Sequence, residues 1–552
     1  MTIEMTRARN ISISSGRLTL VLIFLAVTLY NLWKPFHIDD AAYLEIAQWI
    51  TSNPLRPMSG LLNWDGIDEQ IHRVNQPHLY FYLVALWGAL FGFSEVGLHL
   101  MQAFFCAACF VIFAGIVSNA TSTEATSREG LFLVLLLVVS PAFVINQNLM
   151  VDIPMLSLWL GFFYVLMPFR GQDTNQHLLA SLICSAALLI KYSSLALYPI
   201  LVFSILMDRK WSRLVYALFP VVTLLAWSAF NYFDYGGFHI LQRPTGANGD
   251  FLRPVENAVK FILNLGGLTP IGYVVLFRMF GRYELRLWLA FTALAAAFVS
   301  MVHFGYFAQR ASDIIVVEVF LVNAAIIVYV LARFTKSVLA RTAREGIDAE
   351  GKIDTYLLLW IFGVLSFYSL FAPFIATRHV LLILPPVILS FWKLFGGSLS
   401  RTAKVFALGF TVFPTVALGI SDWRFAQFYK SQASEIKQLV PPATRAWTSG
   451  HWGWQWYAAR AGFKQVDVVA SDLKQGDWII IPREVDHQKL QQNVSLKLLF
   501  TVTQDYPGLS MFCTGRPAMF YASPVAWTVS MECLNHIDVF EIGGLEKPSD
   551  SR

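Results

Sequence analysis

Apolar runs close to 20 residues long recur from Leu18 to Ile420, and this pattern decides the solvent in which the chain folds. A helical run of that length, rising 1.5 Å per residue, crosses the roughly 30 Å hydrocarbon core of a bilayer. The 552 residues are 56% hydrophobic and only 14% charged, with a mean hydropathy of +0.54, which is too apolar for a soluble globular chain. Uninterrupted runs such as LFLVLLLVVS lack the alternation of a transmembrane β-strand, so the spanning elements are expected to be helices.

Candidate spans cover residues 18–34, 96–118, 130–148, 152–168, 178–190, 193–207, 214–230, 259–280, 285–302, 314–332, 355–373, 379–395 and 403–420, about 13 crossings. The apolar stretch 77–93 sets the register, because counting it as one more span moves every later loop to the other side. Lys and Arg collect at the cytoplasmic ends of spans. With 77–93 lying along the outer interface, four clusters fall inside: Arg209, Lys210 and Arg213; Arg278, Arg282 and Arg286; Arg333, Lys336, Arg341, Arg344 and Lys352; Arg401 and Lys404. Residues 77–93 therefore read as an interfacial amphipathic helix, with Tyr80, Tyr82 and Trp87 at the headgroup level. The outer face then receives the first loop, 35–95, the turns near Asp152 and Lys191, residues 231–258 and 303–313, the turn before Arg378, and everything after Ser421. Arg7, Arg9 and Arg17 precede the first run, and no small-residue cleavage site follows it, so the N-terminus is expected to be cytoplasmic and the first span uncleaved.

Composition shifts after Ser421, where strand-like runs such as DWIIIP alternate with turns at Gly476-Asp477 and Pro507-Gly508. The expected architecture is an all-α polytopic membrane domain over 1–420 and a small C-terminal α/β domain over 421–552, periplasmic or otherwise extracytoplasmic. Cys106, Cys109 and Cys184 lie in apolar spans as small core residues. Cys513 and Cys533 lie in the tail, where an oxidising compartment would permit one disulfide. The net charge of +5 is modest and carries no nucleic-acid signal.

Chemistry is expected in the outer loops. The first opens with HIDDAAYLEIAQWI, in which Asp39 and Asp40 either cap a helix or serve at the membrane surface, deprotonating an acceptor or binding a metal. Asp152, in VDIP, reads as an N-cap for a helix starting at Pro154 or as a further site acid. The tail motif SGHWGWQWYAARAG offers Trp452, Trp454 and Trp456 either for packing or for stacking on sugar rings.

The order of these motifs is itself specific. The acidic pair with Tyr43, then QPHLYFYLVALWGALFG, NLMVDIPMLSLWL, ALLIKYSSLALYP and ATRHVLLILPPVIL, from about Asp39 to Pro386, resembles the GT-C membrane glycosyltransferases. In outline it is similar to the protein O-mannosyltransferase and lipid A aminoarabinose transferase families. The resemblance implies transfer of a sugar from a polyprenyl-phosphate carrier in the outer leaflet. It implies Asp39 as general base, Asp40 as a helper or metal-site residue, and Asp152 as a second acid that orders the first loop or binds an ion. Phosphate needs cations on the outer side, where the charge rule makes them uncommon; Lys191, Arg310, Arg378 and His379 qualify. Arg378 resembles the Arg-Tyr or Arg-His that precedes LLPxxP in the family. His239 and Arg243 lie in a long loop that either is solvated or closes over substrate. Where the aminoarabinose transferases place Glu-Lys, this chain has Asn75, Gln76, Pro77 and His78, so an acidic metal ligand and a phosphate-binding Lys are both missing there. His78 is the residue that would compensate, and a divalent metal stays an open question.

The expected function is inverting transfer of one sugar to a membrane-proximal lipid, glycan or protein, by a multi-pass protein of the inner (plasma) membrane in contact with membrane lipids. Two other classes compete with it. A transporter or lipid-linked-sugar flippase would line a midplane path with polar residues, whereas here they gather at one face. A receptor-like protein would bind envelope polymers through its tail.

Overall fold

The structure is a computed structural model and describes residues 2–64, 66–74, 76–168, 175–243, 252–306, 308–488, 490, 494–505, 508–510, 520–521, 525–530 and 534–545. Helices stand at every expected span, but not as thirteen full crossings. Among the described residues six are long and apolar enough to cross a bilayer: Glu95–Thr121, Trp211–Tyr235, Gly281–His303, Gln309–Glu345, Ala349–Phe371 and Arg401–Leu439. Two more spans are broken, Arg128–Val138 with Pro141–Gln147 by 56° and Arg253–Leu268 with Ile271–Arg278 by 70°. Each break falls on a proline, Pro141 or Pro270, which lacks an N–H and drives the residue before it out of helical geometry. The expectation of about 13 crossings is thus not confirmed: by length and composition six described helices, or eight with the bent pairs, pass as spans, and five shorter apolar helices stand beside them. Asp152–Leu166 and Gln176–Ile190, at 15 residues each, reach only about 22 Å and pack among their neighbours. With several such helices the chain is a multi-pass membrane protein.

Residues 35–95, expected at the outer face, build elements of their own. Helix Asp40–Ser52 is followed by an antiparallel hairpin pairing Leu61–Asn63 with Asp68–Gln70, and then by helix Leu79–Phe91. The last has 13 residues, about 20 Å, which is shorter than the hydrocarbon core. It ends at Gly92, whose φ of 81° is open to glycine at no steric cost.

The composition change at Ser421 is not a helix end. Helix Arg401–Leu439 runs through it and stops only before Pro441 and Pro442. Beyond it five strands form a mixed sheet in the order Lys464–Gln465, Ala446–Thr448, Trp478–Pro482, Leu534–Leu545, Val494–Asp505; the first two pairings are parallel and the last two antiparallel. Cys513 and Cys533 lie outside the described residues, as does Asn75. The tail helix Trp452–Arg460 docks on the segment at Phe36 and His37 that follows the first helix. Gly453 permits the approach, since a Cβ there would sit 2.3 Å from the Phe36 carbonyl oxygen, and the Phe36 N–H donates to the Tyr457 hydroxyl at 2.8 Å. Trp456 is buried in this seam, edge-on to Phe36, and Trp454 is buried against Tyr429 and Phe463, so both are packing residues.

Candidate active site

The acidic pair divides at a sharp turn. Ile38 adopts φ 51°, a left-handed conformation costly for a β-branched residue, and the next two side chains leave in different directions. Asp39 stands at the N-cap position of helix Asp40–Ser52 but makes no capping bond; its Oδ2 lies 3.4 Å from Arg378 Nη1. Asp40 is fully buried, and its Oδ2 accepts the His37 N–H at 2.8 Å. Burial pushes the Asp40 carboxyl up to about 8.

Arg378 links Asp39 to the second predicted acid. Its Nε stands 3.8 Å from Asp152 Oδ2, beyond hydrogen-bond range, while Lys191 Nζ donates to Asp152 Oδ1 at 3.1 Å. Asp152 is not the N-cap, a position that Val151 holds, but the first residue of helix Asp152–Leu166, where the helix dipole favours a carboxylate. Two cations and two carboxylates therefore meet in one cluster. Asp39 is its open member, with 23% of its side chain exposed against 1% for Asp152. Arg378 Nε is buried with no hydrogen-bond acceptor, a charged donor facing a cavity. The tail holds this loop in place: Arg378 Nη1 donates to the Tyr521 carbonyl at 3.3 Å and the Thr377 N–H to the Phe520 carbonyl at 3.2 Å.

The cavity measures about 940 Å³ and has two kinds of wall. Asp39, Tyr43, Asp152, Lys191, Arg378 and His379 form its polar end. Pro199, Ile200 and Phe203 face Leu359, Phe362, Phe367 and Phe371 along an apolar groove between helices Leu197–Met207 and Ala349–Phe371. Such a site suits an amphiphile with an anionic head and a hydrocarbon tail.

The other predicted residues divide. Arg243 lines the cavity, and His239 Nδ1 is 3.0 Å from the hydroxyl of Tyr192, itself a wall residue. His379 lines it too and fixes its own loop, its Nδ1 accepting the Ala376 N–H at 3.1 Å. Arg310 does not join the cluster: it is exposed at the start of helix Gln309–Glu345 and lines no part of this cavity. Nor does His78, which is buried against Phe81 and Trp227. Asp40 stays off the cavity wall as well. Sequence reasoning missed Tyr192, Trp64 and the Tyr521 carbonyl. Tyr192 had a signal, directly following Lys191, whereas Tyr521 is 143 residues from Arg378 and had none.

The donor set does not fit a hard divalent cation such as Mg²⁺ or Ca²⁺. Mg²⁺ and Ca²⁺ take six or more oxygen ligands, yet the two carboxylates here are already turned on Arg378 and Lys191. Among the described residues no group of three His, Cys, Asp or Glu side chains could hold a metal.

Residues 75–232 match the family described as dolichyl-phosphate-mannose-protein mannosyltransferase. The match includes Asp152 and Lys191 but neither Asp39 nor Arg378. No curated protein matches by sequence. Among solved structures, the Archaeoglobus fulgidus oligosaccharyltransferase tethered with an acceptor peptide is 12% identical, with a TM-score of 0.47 over 82% of this chain and 63% of that one. The same protein in complex with Zn and sulfate is 13% identical, at 0.45 over 82% and 62%. ArnT from Cupriavidus metallidurans bound to undecaprenyl phosphate is 11% identical, at 0.36 over 85% and 92%. The chain thus spans less than two thirds of the length of the archaeal enzyme, and these loose overlaps transfer no residue roles. The family match meets the ordered motifs on the same ground: the chain is similar to GT-C membrane glycosyltransferases.

Proposed function

We propose that this chain transfers one sugar, with inversion, from a polyprenyl-phosphate donor to a hydroxyl of a membrane-proximal lipid, glycan or protein at the outer face of the inner (plasma) membrane. The observation that carries the reading is the buried Arg378 Nε, which has no hydrogen-bond acceptor, beside an open carboxylate at the head of an apolar groove. A guanidinium grips phosphate oxygens through two parallel donors. The prenyl tail lies in the groove of Ile200, Phe203, Phe362 and Phe367.

Asp39 takes the acceptor's proton as the acceptor oxygen forms its bond to the anomeric carbon. The bond from that carbon to the phosphate oxygen breaks, its electron pair leaves with the phosphate, and the diester monoanion becomes a monoester dianion. Protonation cancels the Asp39 charge and frees Arg378 from its partner as the phosphate gains its second charge. Lys191, held by Asp152, adds to the same field.

Proteoliposomes supplied with labelled polyprenyl-phosphate sugars test the reading. Asp39→Asn is expected to lower kcat by about 10²–10⁴; an undiminished rate in that variant removes the base.

A further inference from the structure

We propose that Trp64 is the platform on which the donor's sugar ring rests, so that the hairpin of the first outer loop forms a sugar subsite above the phosphate clamp; this rests on the donor reading given above. A lipid-linked sugar is a linear molecule of tail, phosphate and sugar. With the tail between two membrane helices and the phosphate at Arg378, the sugar must lie toward the soluble side. There the cavity wall is made by Leu62, Trp64 and Gln76. Trp64 is the indole of that wall, half-buried with part of its surface turned to the cavity. The apolar C–H face of a sugar ring packs on an aromatic face, whose quadrupole attracts the polarised hydrogens.

The platform is built rather than incidental. The residue before it, Asn63, is tied to the tail three times: its Nδ2 donates to the Val466 carbonyl at 3.2 Å, its Oδ1 accepts from Gln488 Nε2 at 3.0 Å, and its carbonyl accepts from Gln455 Nε2 at 3.2 Å. His451 backs the indole, with ring centroids 5.4 Å apart. The His451 N–H donates to the Asp486 carbonyl at 2.8 Å, and its Nδ1 lies 3.0 Å from Gln455 Oε1. The SGHWGWQW motif therefore reaches the substrate through Trp64, while its own Trp454 and Trp456 stay in the core. A fixed aromatic plane loses little conformational entropy when a ring settles on it.

Full-length protein in nanodiscs is offered bare polyprenyl phosphate and the same carrier bearing mannose, glucose, galactose or N-acetylglucosamine, and the Kd of each is measured. Wild type should hold one sugar-bearing carrier about fivefold to tenfold more tightly than the bare one. Trp64→Leu should erase that difference and leave the bare-carrier Kd within about twofold, and Trp64→Phe should keep most of it. The platform is overturned if Trp64→Leu keeps the difference, if it weakens both carriers equally, if Trp64→Phe loses as much as Trp64→Leu, or if wild type prefers no sugar-bearing carrier. Absence of bare-carrier binding in wild type brings down the donor reading instead, and the two failures are thereby told apart.

Discussion

Asp39 and Asp40 are chemically identical and adjacent, yet a turn at Ile38 gives one to the cavity and one to the core. The Asp40 carboxyl, raised to about 8 by burial, binds its proton more tightly in the folded chain than in the unfolded one, where the ordinary value is near 4. The unfolded state therefore binds fewer protons between those values, and stability falls as pH rises from about 4 toward 8. Asp40→Asn keeps an oxygen for the His37 N–H and cannot ionise. Its melting temperature should exceed that of wild type by about 2 °C or more at pH 8, and the gap should close by pH 5. Thermal unfolding at the two pH values checks this, and a gap that does not change with pH rules it out. The paired acids were legible in the sequence, and the family resemblance singled out Asp39, but the residues by themselves did not tell which of the two faces the cavity. Neighbouring helical side chains diverge by about 100°, and their absolute direction depends on a left-handed turn that no residue type at position 38 announces.

Elements are joined by charges that lie far apart in the chain. Lys34, just after helix Thr2–Leu29, and Asp422, within helix Arg401–Leu439, are both fully buried and form an ion pair. Lys34 also donates to Asn148 Oδ1 at 2.5 Å, and His37 Nε2 stands 3.1 Å from the other Asp422 oxygen. This knot fixes the approach to the Ile38 turn. Removing one partner strands the other charge, so Asp422→Leu should cost about 3–5 kcal/mol, whereas Lys34→Met with Asp422→Leu should recover more than half of the loss. Melting temperatures of the single and double variants in detergent decide it; additive losses would deny the pairing. Helix positions were legible because hydropathy is local. The pair is separated by 388 positions and so was not, and the kinks at Pro141 and Pro270 lay in plain view but were read through as continuous spans.

At the scale of the molecule, the two ends of the helical bundle carry different charge arrangements. At one end Arg341 stands within 4 Å of Glu345, Asp348, Glu350 and Asp354, and Lys393 reaches Glu350 and Asp354, tying together helices Gln309–Glu345, Ala349–Phe371 and Leu384–Phe395. The cluster around Arg378 and Asp39 belongs with the tail, which supplies backbone carbonyls to Arg378 and Thr377 and clasps the hairpin through Asn63. The proposed reaction requires these ends to face opposite compartments, because a donor in the outer leaflet presents its phosphate only there. Single cysteines at exposed Arg344 and exposed Lys497, in a chain whose native cysteines are replaced, report the sidedness directly. A membrane-impermeant maleimide added to spheroplasts should label position 497 at once and position 344 only after the membrane is opened. Since the tail and the Arg378 loop are bonded to each other, labelling of 497 from outside carries the catalytic cluster with it. Labelling of both positions from one side would leave the bundle without an outer face on which to hold the donor.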